Sequence, residues 1–177
     1  RNVCHRDIKV GNVVLDAAGA PRLIDFGCAK WDGGCEVPRG AAVPGTVAYM
    51  PPETLRGDAH DGRGADVWAL GVLLYILLVG FHPFDDGHID AATLKQRILH
   101  DAPDWTGCNA SAQAKQLVEA LMRKDASERL TIEQMLQHPW LLHEGRSSGA
   151  AAGGGSLQQR GRSMGSMVLD LAWWTRG

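Results

Sequence analysis

Thirteen consecutive residues, Val67 to Val79, carry no charged side chain and only one glycine, the longest apolar run in the chain. A bilayer span needs about 18 or more such residues, so the run predicts a helix buried in a protein core. Asp66 stands just before it and suits an N-cap, because a carboxylate accepts from the unpaired amides of a first turn. A second helix is expected over about Ala91 to His100. A third follows Ser111, with Ala114, Leu117, Val118 and Leu121 recurring on one face. A fourth opens on the capping-box pattern Thr131-Ile132-Glu133-Gln134, turns Ile132, Met135 and Leu136 inward, and stops at Pro139. Upstream, Val13-Val14-Leu15 and Arg22-Leu23-Ile24 flank the turn Asp16-Ala17-Ala18-Gly19 and read as a small hairpin. The stretch from Gly33 to Gly45 has no periodicity and reads as loop. A mainly α fold with a small β hairpin is the expectation.

Composition bounds the rest. With 177 residues, 45% of them hydrophobic, the chain can bury a core without a metal or disulfide staple. A net charge of −2 argues against a nucleic-acid or anionic-membrane surface as its main business. The four cysteines (Cys4, Cys28, Cys35, Cys108) show no C-x-x-C spacing. Free thiols are therefore expected, and with no signal-like segment in view, a cytoplasmic or nuclear address. The histidines show no metal-binding spacing. Composition shifts near Glu144: residues 1–143 carry 14 basic and 18 acidic side chains, residues 144–177 carry 4 and 2. The Gly/Ser/Ala-rich tail 144–177 reads as flexible linker ending in a short apolar segment, Met167 to Trp174, so the expected domain is 1–143.

The chemistry-bearing residues are concentrated early. His5-Arg6-Asp7-Ile8-Lys9-Val10-Gly11-Asn12 is followed by Asp25-Phe26-Gly27, thirteen residues after Asn12, with the hairpin between them. Gly45-Thr46-Val47-Ala48-Tyr49-Met50-Pro51-Pro52-Glu53, then Asp66-Val67-Trp68-Ala69-Leu70-Gly71, then Arg129 and His138-Pro139-Trp140 come in order. In this ordered set the sequence resembles the eukaryotic protein kinase family, in its serine/threonine branch. Leu77-Leu78-Val79-Gly80 leading to His82-Pro83-Phe84-Asp85-Asp86 resembles the calcium/calmodulin-dependent and sucrose-non-fermenting-related kinases.

The resemblance implies an ATP-dependent kinase that phosphorylates serine or threonine in protein substrates. Phosphoryl transfer is chiefly a matter of alignment and charge stabilisation, which is why such residue types are wanted. By resemblance, Asp7 receives the acceptor hydroxyl's proton, Lys9 offsets charge on the moving phosphoryl group, and Asn12 and Asp25 hold Mg²⁺ with hard oxygen donors. Val14 and Ile24 would lie beside the adenine and metal site, and Thr46 would contact Asp7 and Lys9. Glu53 and Arg129 would form a buried ion pair, Asp66 would hold the catalytic-loop backbone, and Arg6 would pair with an anion on the loop that follows Asp25.

Departures qualify this picture. Cys28 to Gly45 contains no Ser, Thr or Tyr, so loop ordering by phosphorylation is not expected there, and Asp32 or Glu36 is the candidate anion for Arg6. Gly11 and Ile76 stand where basophilic relatives carry acids, which implies a weak preference for arginine near the acceptor. Pro51 replaces the usual Ala before Pro52-Glu53, a change a loop tolerates. No glycine-rich phosphate loop, strand lysine or adenine hinge precedes His5, so the resemblance implies a C-terminal kinase lobe with the N-terminal lobe missing, inactive alone. The alternative is a non-catalytic, pseudokinase-like module that docks a regulatory partner through its helical face or apolar tail.

Overall fold

The computed structural model describes residues 3–31 and 35–142, together with Gly165. The tail 144–177 with its linker and apolar segment, and Asp32 as a partner for Arg6, lie outside the described residues apart from that one glycine. Among the described residues these elements follow in order: β1 (Val3–Cys4), β2 (Val13–Leu15), β3 (Pro21–Leu23), β4 (Lys30–Trp31), β5 (Glu36–Val37), α1 (Pro52–Arg56), β6 (His60–Asp61), α2 (Gly62–Val79), α3 (Ala91–His100), α4 (Ala112–Leu121) and α5 (Ile132–Leu136). The strands form three antiparallel pairs, β1 with β4, β2 with β3, and β5 with β6.

The core is built on α2. Eleven of its 18 residues are buried, and Trp68 and Val72 are wholly enclosed. The helix is long and apolar enough to cross a membrane by length and composition alone, but here it packs inside the domain. Leu117, Val118 and Leu121 of α4 pack with it, and Ile98, Phe84, Met135 and Leu141 complete the cluster. Gly71 lets α2 and α4 close, since a Cβ there would lie 2.6 Å from Met122 Cγ. Such close packing of apolar side chains is the main favourable term in the fold.

Helix starts follow side-chain caps. Ser111 Oγ accepts from Ala114 N at 3.2 Å, Asp90 Oδ1 accepts from Thr93 N at 2.7 Å, and the Thr131–Gln134 capping box is complete. Three expectations need correction. The long helix begins four residues before Asp66, capped by Asp61, whose Oδ1 accepts from Arg63 N at 2.9 Å. Asp66 therefore lies inside α2, and its carboxylate is used elsewhere. The short α5 ends at Leu136, and Pro139 opens a further helical turn, a place where a missing N–H costs nothing. The expected loop from Gly33 to Gly45 contains β5, whose two residues pair with β6 too briefly to show a period.

The cysteines also differ from expectation. Cys4 and Cys35 form a disulfide with Cα atoms 5.9 Å apart, while Cys28 and Cys108 are free. Their 31-residue separation hid the pairing, which arises because β1 and the chain before β5 both pack beside the start of α2. The hairpin β2–β3 is as expected except that its second strand lies one residue earlier, Pro21–Leu23 rather than Arg22 to Ile24, with Leu23 opposite Val13 and Pro21 opposite Leu15. Asp16 shapes its turn by accepting from Ala18 N and Ala20 N, each at 2.9 Å.

Candidate active site

Residues Cys4 to Asn12 lie over the first turns of α2, and Asp66 holds them there. Its Oδ2 accepts from His5 N at 2.7 Å and its Oδ1 from Arg6 N at 2.8 Å. Burial pushes the Asp66 carboxyl up to about 7, against the pull of those two amides. Arg6 takes a left-handed backbone with φ 66°, and Asp25 does the same with φ 62°. These are the two non-glycine positive-φ residues among those described, and both sit at the site, where such strain tends to gather.

His5 joins the two halves of the site. Its Nε2 lies 3.1 Å from the Ile24 carbonyl, which can only accept, so Nε2 carries the proton. Its Nδ1 is then free to accept from Asp7 N at 3.3 Å. Burial lowers the His5 pKa, keeping the ring neutral, although the Ile24 carbonyl and the charges of Asp7 and Asp25 pull the other way. The ring meets Phe26 edge-on, with centroids 4.7 Å apart. Ile24 N in turn donates to Asn12 O at 2.9 Å, so the residue before Asp25 is tied to both His5 and Asn12.

Asp7 is the hub. Oδ2 accepts from Lys9 Nζ at 2.7 Å and Asn12 Nδ2 at 3.1 Å, and Oδ1 accepts from Thr46 Oγ1 at 2.8 Å. Lys9 Nζ also donates to Thr46 Oγ1 at 2.9 Å. Partial burial raises the Asp7 pKa, but the hydrogen bonds from Lys9 and Thr46, the Lys9 charge and Asn12 outweigh it, so the carboxylate lies below its ordinary range. Lys9 is held above its ordinary value, first by its hydrogen bond to Asp7. Gly45 brings Thr46 into place. It has φ +122°, and a Cβ there would stand 2.5 Å from the Arg6 carbonyl oxygen.

Asn12 is nearly buried and spends its amide nitrogen on Asp7, on O at 2.8 Å and on Oδ2. No protein donor reaches its Oδ1 among the described residues. Asp25 is exposed, enters no ion pair among the described residues, and accepts only from Gly27 N, at 3.3 Å. Two hard oxygen donors are thus left open, which fits Mg²⁺ completing its shell with phosphate and water oxygens. No group of three His, Cys, Asp or Glu side chains converges as a separate metal cluster among the described residues. Val14 and Ile24, 42% and 40% exposed, leave an apolar face beside them, as an adenine ring would require.

Two cavities lie near these groups. A cavity of about 20 Å³, room for about one water, lies between Asp7, Thr46, Tyr49 and Asp66. A larger cavity of about 690 Å³ is lined by Val3, Arg63, Arg129 and Glu133 and touches none of Asp7, Lys9, Asn12 or Asp25.

The remaining expected residues fall as follows. Arg129 and Glu53 form a buried bidentate pair, Nη1 to Oε1 at 2.6 Å and Nη2 to Oε2 at 3.0 Å. Arg6 meets no described carboxylate: its Nε donates to the Cys28 carbonyl at 2.6 Å. Glu36 lies in β5, exposed, with its field felt by Arg63. Pro51 caps α1 with φ −75°, an angle proline prefers. Sequence reasoning gave no role to His5, Gly45 or His82, whose Nε2 donates to Ala48 O at 3.0 Å and steadies the Thr46 segment. All three stand inside the quoted motifs, which was the signal available for them.

A family model described as protein kinase domain matches residues 1–141. The serine/threonine-protein kinase SAPK4 of Oryza sativa subsp. japonica is 40% identical over 147 residues, covering 79% of this chain and 40% of that protein. Maternal embryonic leucine zipper kinase of Xenopus laevis is 38% identical over 141 residues, 78% of this chain and 21% of the relative. CBL-interacting protein kinase 31 of Oryza sativa subsp. japonica is 37% identical over 147 residues, 79% of this chain and 31% of the relative. The chain spans two fifths or less of the length of these curated relatives.

Proposed function

The chain belongs to the protein kinase family, and from that membership we propose that residues 1–143 form the acceptor-binding floor of a serine/threonine protein kinase. The reaction moves the γ-phosphoryl group of ATP to a serine or threonine hydroxyl of a protein substrate. The observation that carries this reading is the Asp7 carboxylate, shared by Lys9 and Thr46 and braced by Asn12.

An acceptor hydroxyl reaching Asp7 would donate to a carboxylate that is ionised at neutral pH. Such a weak base orients the hydroxyl and takes its proton late, as a loose phosphoryl-transfer transition state allows. Lys9 sets a positive charge beside that carboxylate and is placed to offset charge on the phosphoryl oxygens. Thr46 holds Asp7 and Lys9 in one orientation, so the acceptor meets a fixed geometry. Asn12 Oδ1 and the Asp25 carboxylate would hold Mg²⁺, which supplies charge neutralisation at the phosphates when bound. Neutral His5 keeps the Ile24 carbonyl, and with it Asp25, in register. Val14 and Ile24 would support the adenine.

The motifs here run from His5-Arg6-Asp7 onward, and the chain spans two fifths or less of the length of its curated relatives. We infer that this stretch works as the C-terminal lobe of a two-lobed domain and is inactive by itself. The test is phosphate transfer from radiolabelled ATP, with Mg²⁺ and a Ser/Thr-containing protein, by the full protein that carries these residues. Asp7→Asn should lower the rate by about 10²–10⁴-fold with nucleotide affinity little changed. No transfer by the unaltered protein would overturn the reading and favour a non-catalytic docking module.

A further inference from the structure

We propose that Cys4 and Cys35 are a reversible redox-modification site, at which a thiol–disulfide exchange fastens the loop after Asp25 to the catalytic loop. Its bearing on phosphoryl transfer rests on the reading above, but the tether itself stands on the geometry.

Both ends of the bond are placed where they matter. Cys4 is fully enclosed and directly precedes His5, the residue that links Asp66, Asp7 and Ile24. Cys35 is 6% exposed and leads into β5, and its carbonyl accepts from Gly62 N, the first residue of α2, at 2.7 Å. Gly62 makes room for the bridge: a Cβ there would stand 3.0 Å from the Cys35 carbonyl oxygen and 3.5 Å from Cys4 Sγ. Other anchors on this segment are few among the described residues. Strand β5 is two residues long, Gly40 N donates to Gly57 O, and residues 38–42 are exposed.

The usual alternative anchor is missing from the sequence. Kinase loops are commonly ordered when a phosphorylated side chain pairs with arginine. No hydroxyl side chain lies between Cys28 and Gly45, and the Arg6 guanidinium is turned to the Cys28 carbonyl. A covalent bond between β1 and the chain before β5 does the same mechanical work without a phosphate.

The exchange balances with a low-molecular-weight disulfide such as glutathione disulfide as oxidant. One cysteine thiolate attacks a glutathione sulfur and expels one glutathione thiolate, which takes up a proton. The second thiolate then attacks the protein sulfur of the mixed disulfide and expels the other. Two protein thiols lose two electrons and two protons, and the oxidant becomes two thiols. A dithiol reductant runs the sequence backwards, entering when the segment opens locally.

The test equilibrates the full chain in glutathione buffers of varied ratio, counts alkylated thiols by mass, and follows amide hydrogen exchange. The oxidised chain should show two reactive thiols and the reduced chain four. On reduction, amides of residues 35–45 should exchange about tenfold faster or more, while those of α2 and α4 keep their protection. Cys35→Ala should show three reactive thiols and the fast exchange of the reduced chain at 35–45 in every buffer, and glutathione disulfide should restore slow exchange to the reduced unaltered chain. Four reactive thiols in every buffer would overturn the proposal. So would unchanged exchange at 35–45, or loss of protection in α2 and α4, which would make the bond a fold staple. None of these readouts needs kinase activity, so the tether and the functional reading fail separately.

Discussion

Removing one partner of the Glu53–Arg129 pair should destabilise the domain more than most single changes. The side chains are 1% and 6% exposed for Arg129 and Glu53, so water does little to screen them. Beyond its two bonds to Glu53, Arg129 donates to Gly64 O at 2.9 Å and to Arg123 O at 3.1 and 3.2 Å. Its guanidinium also lies 5.2 Å from the Trp68 ring centre. Glu53→Gln keeps one acceptor but turns an amide N–H toward an Arg129 donor, leaving the cation with carbonyls and no counter-charge. Two charge-assisted hydrogen bonds at about 1.5–3 kcal/mol each give about 3–6 kcal/mol. That agrees with about 3–5 kcal/mol for breaking a buried pair. Against a domain stability of about 5–15 kcal/mol, such a loss removes a large share. Restoring the cancellation should recover much of it, because Glu53→Leu with Arg129→Met removes both charges and keeps the volume. Urea unfolding of the unaltered chain, Glu53→Leu alone, Arg129→Met alone and the double variant forms the cycle. The double variant should be more stable than the summed single effects by about 2 kcal/mol or more. A single variant costing less than about 1 kcal/mol, or strict additivity, would refute the reasoning.

Asp66 predicts a pH signature. Its folded pKa of about 7 lies above the ordinary 3.8, so its proton stabilises the fold fully below about pH 4, and that contribution is lost as pH rises through about 7. Unfolding midpoints at pH 4.5 to 8 should show the unaltered chain losing stability relative to Asp66→Asn across this window, and parallel profiles would contradict the assignment. Gly71→Ala gains about 1 kcal/mol of helix propensity but forces a Cβ to 2.6 Å from Met122 Cγ and 3.0 Å from Leu121 Cβ. Overpacking at about 1–3 kcal/mol should win, giving a lower urea midpoint, and a higher midpoint would show that α2 and α4 yield. Gly45→Ala should cost about 1–3 kcal/mol in strain, read as a lower thermal midpoint, because both its φ and the Arg6 carbonyl exclude a side chain. An unchanged midpoint would mean that the Thr46 segment shifts freely.

Local elements were legible where the pattern repeats within a few residues. Helix α3 has the boundaries expected, Ala91 to His100, and the inward residues Ala114, Leu117, Val118 and Leu121 of α4 are all buried. The capping box at Thr131 is formed by side chains three residues apart. The start of α2 was misplaced because Asp61 and Asp66 are both plausible caps by type. Only the catalytic loop arriving over α2 claims Asp66 for its own amides. Strand β5 was invisible because two residues cannot display alternation, and its partner is distant in sequence.

The sequence by itself determined the family and the α2-centred core, and singled out Asp7, Lys9, Asn12 and Asp25 as candidates, because motif order, periodicity and capping are written in near neighbours. Tertiary structure decided which distant groups meet. Glu53 with Arg129 spans 76 positions, Arg6 with Cys28 spans 22, and Cys4 with Cys35 spans 31. Such pairings arise only once the loops have folded down on α2, since burial there leaves each polar group or sulfur only the partner that the packing brings within reach.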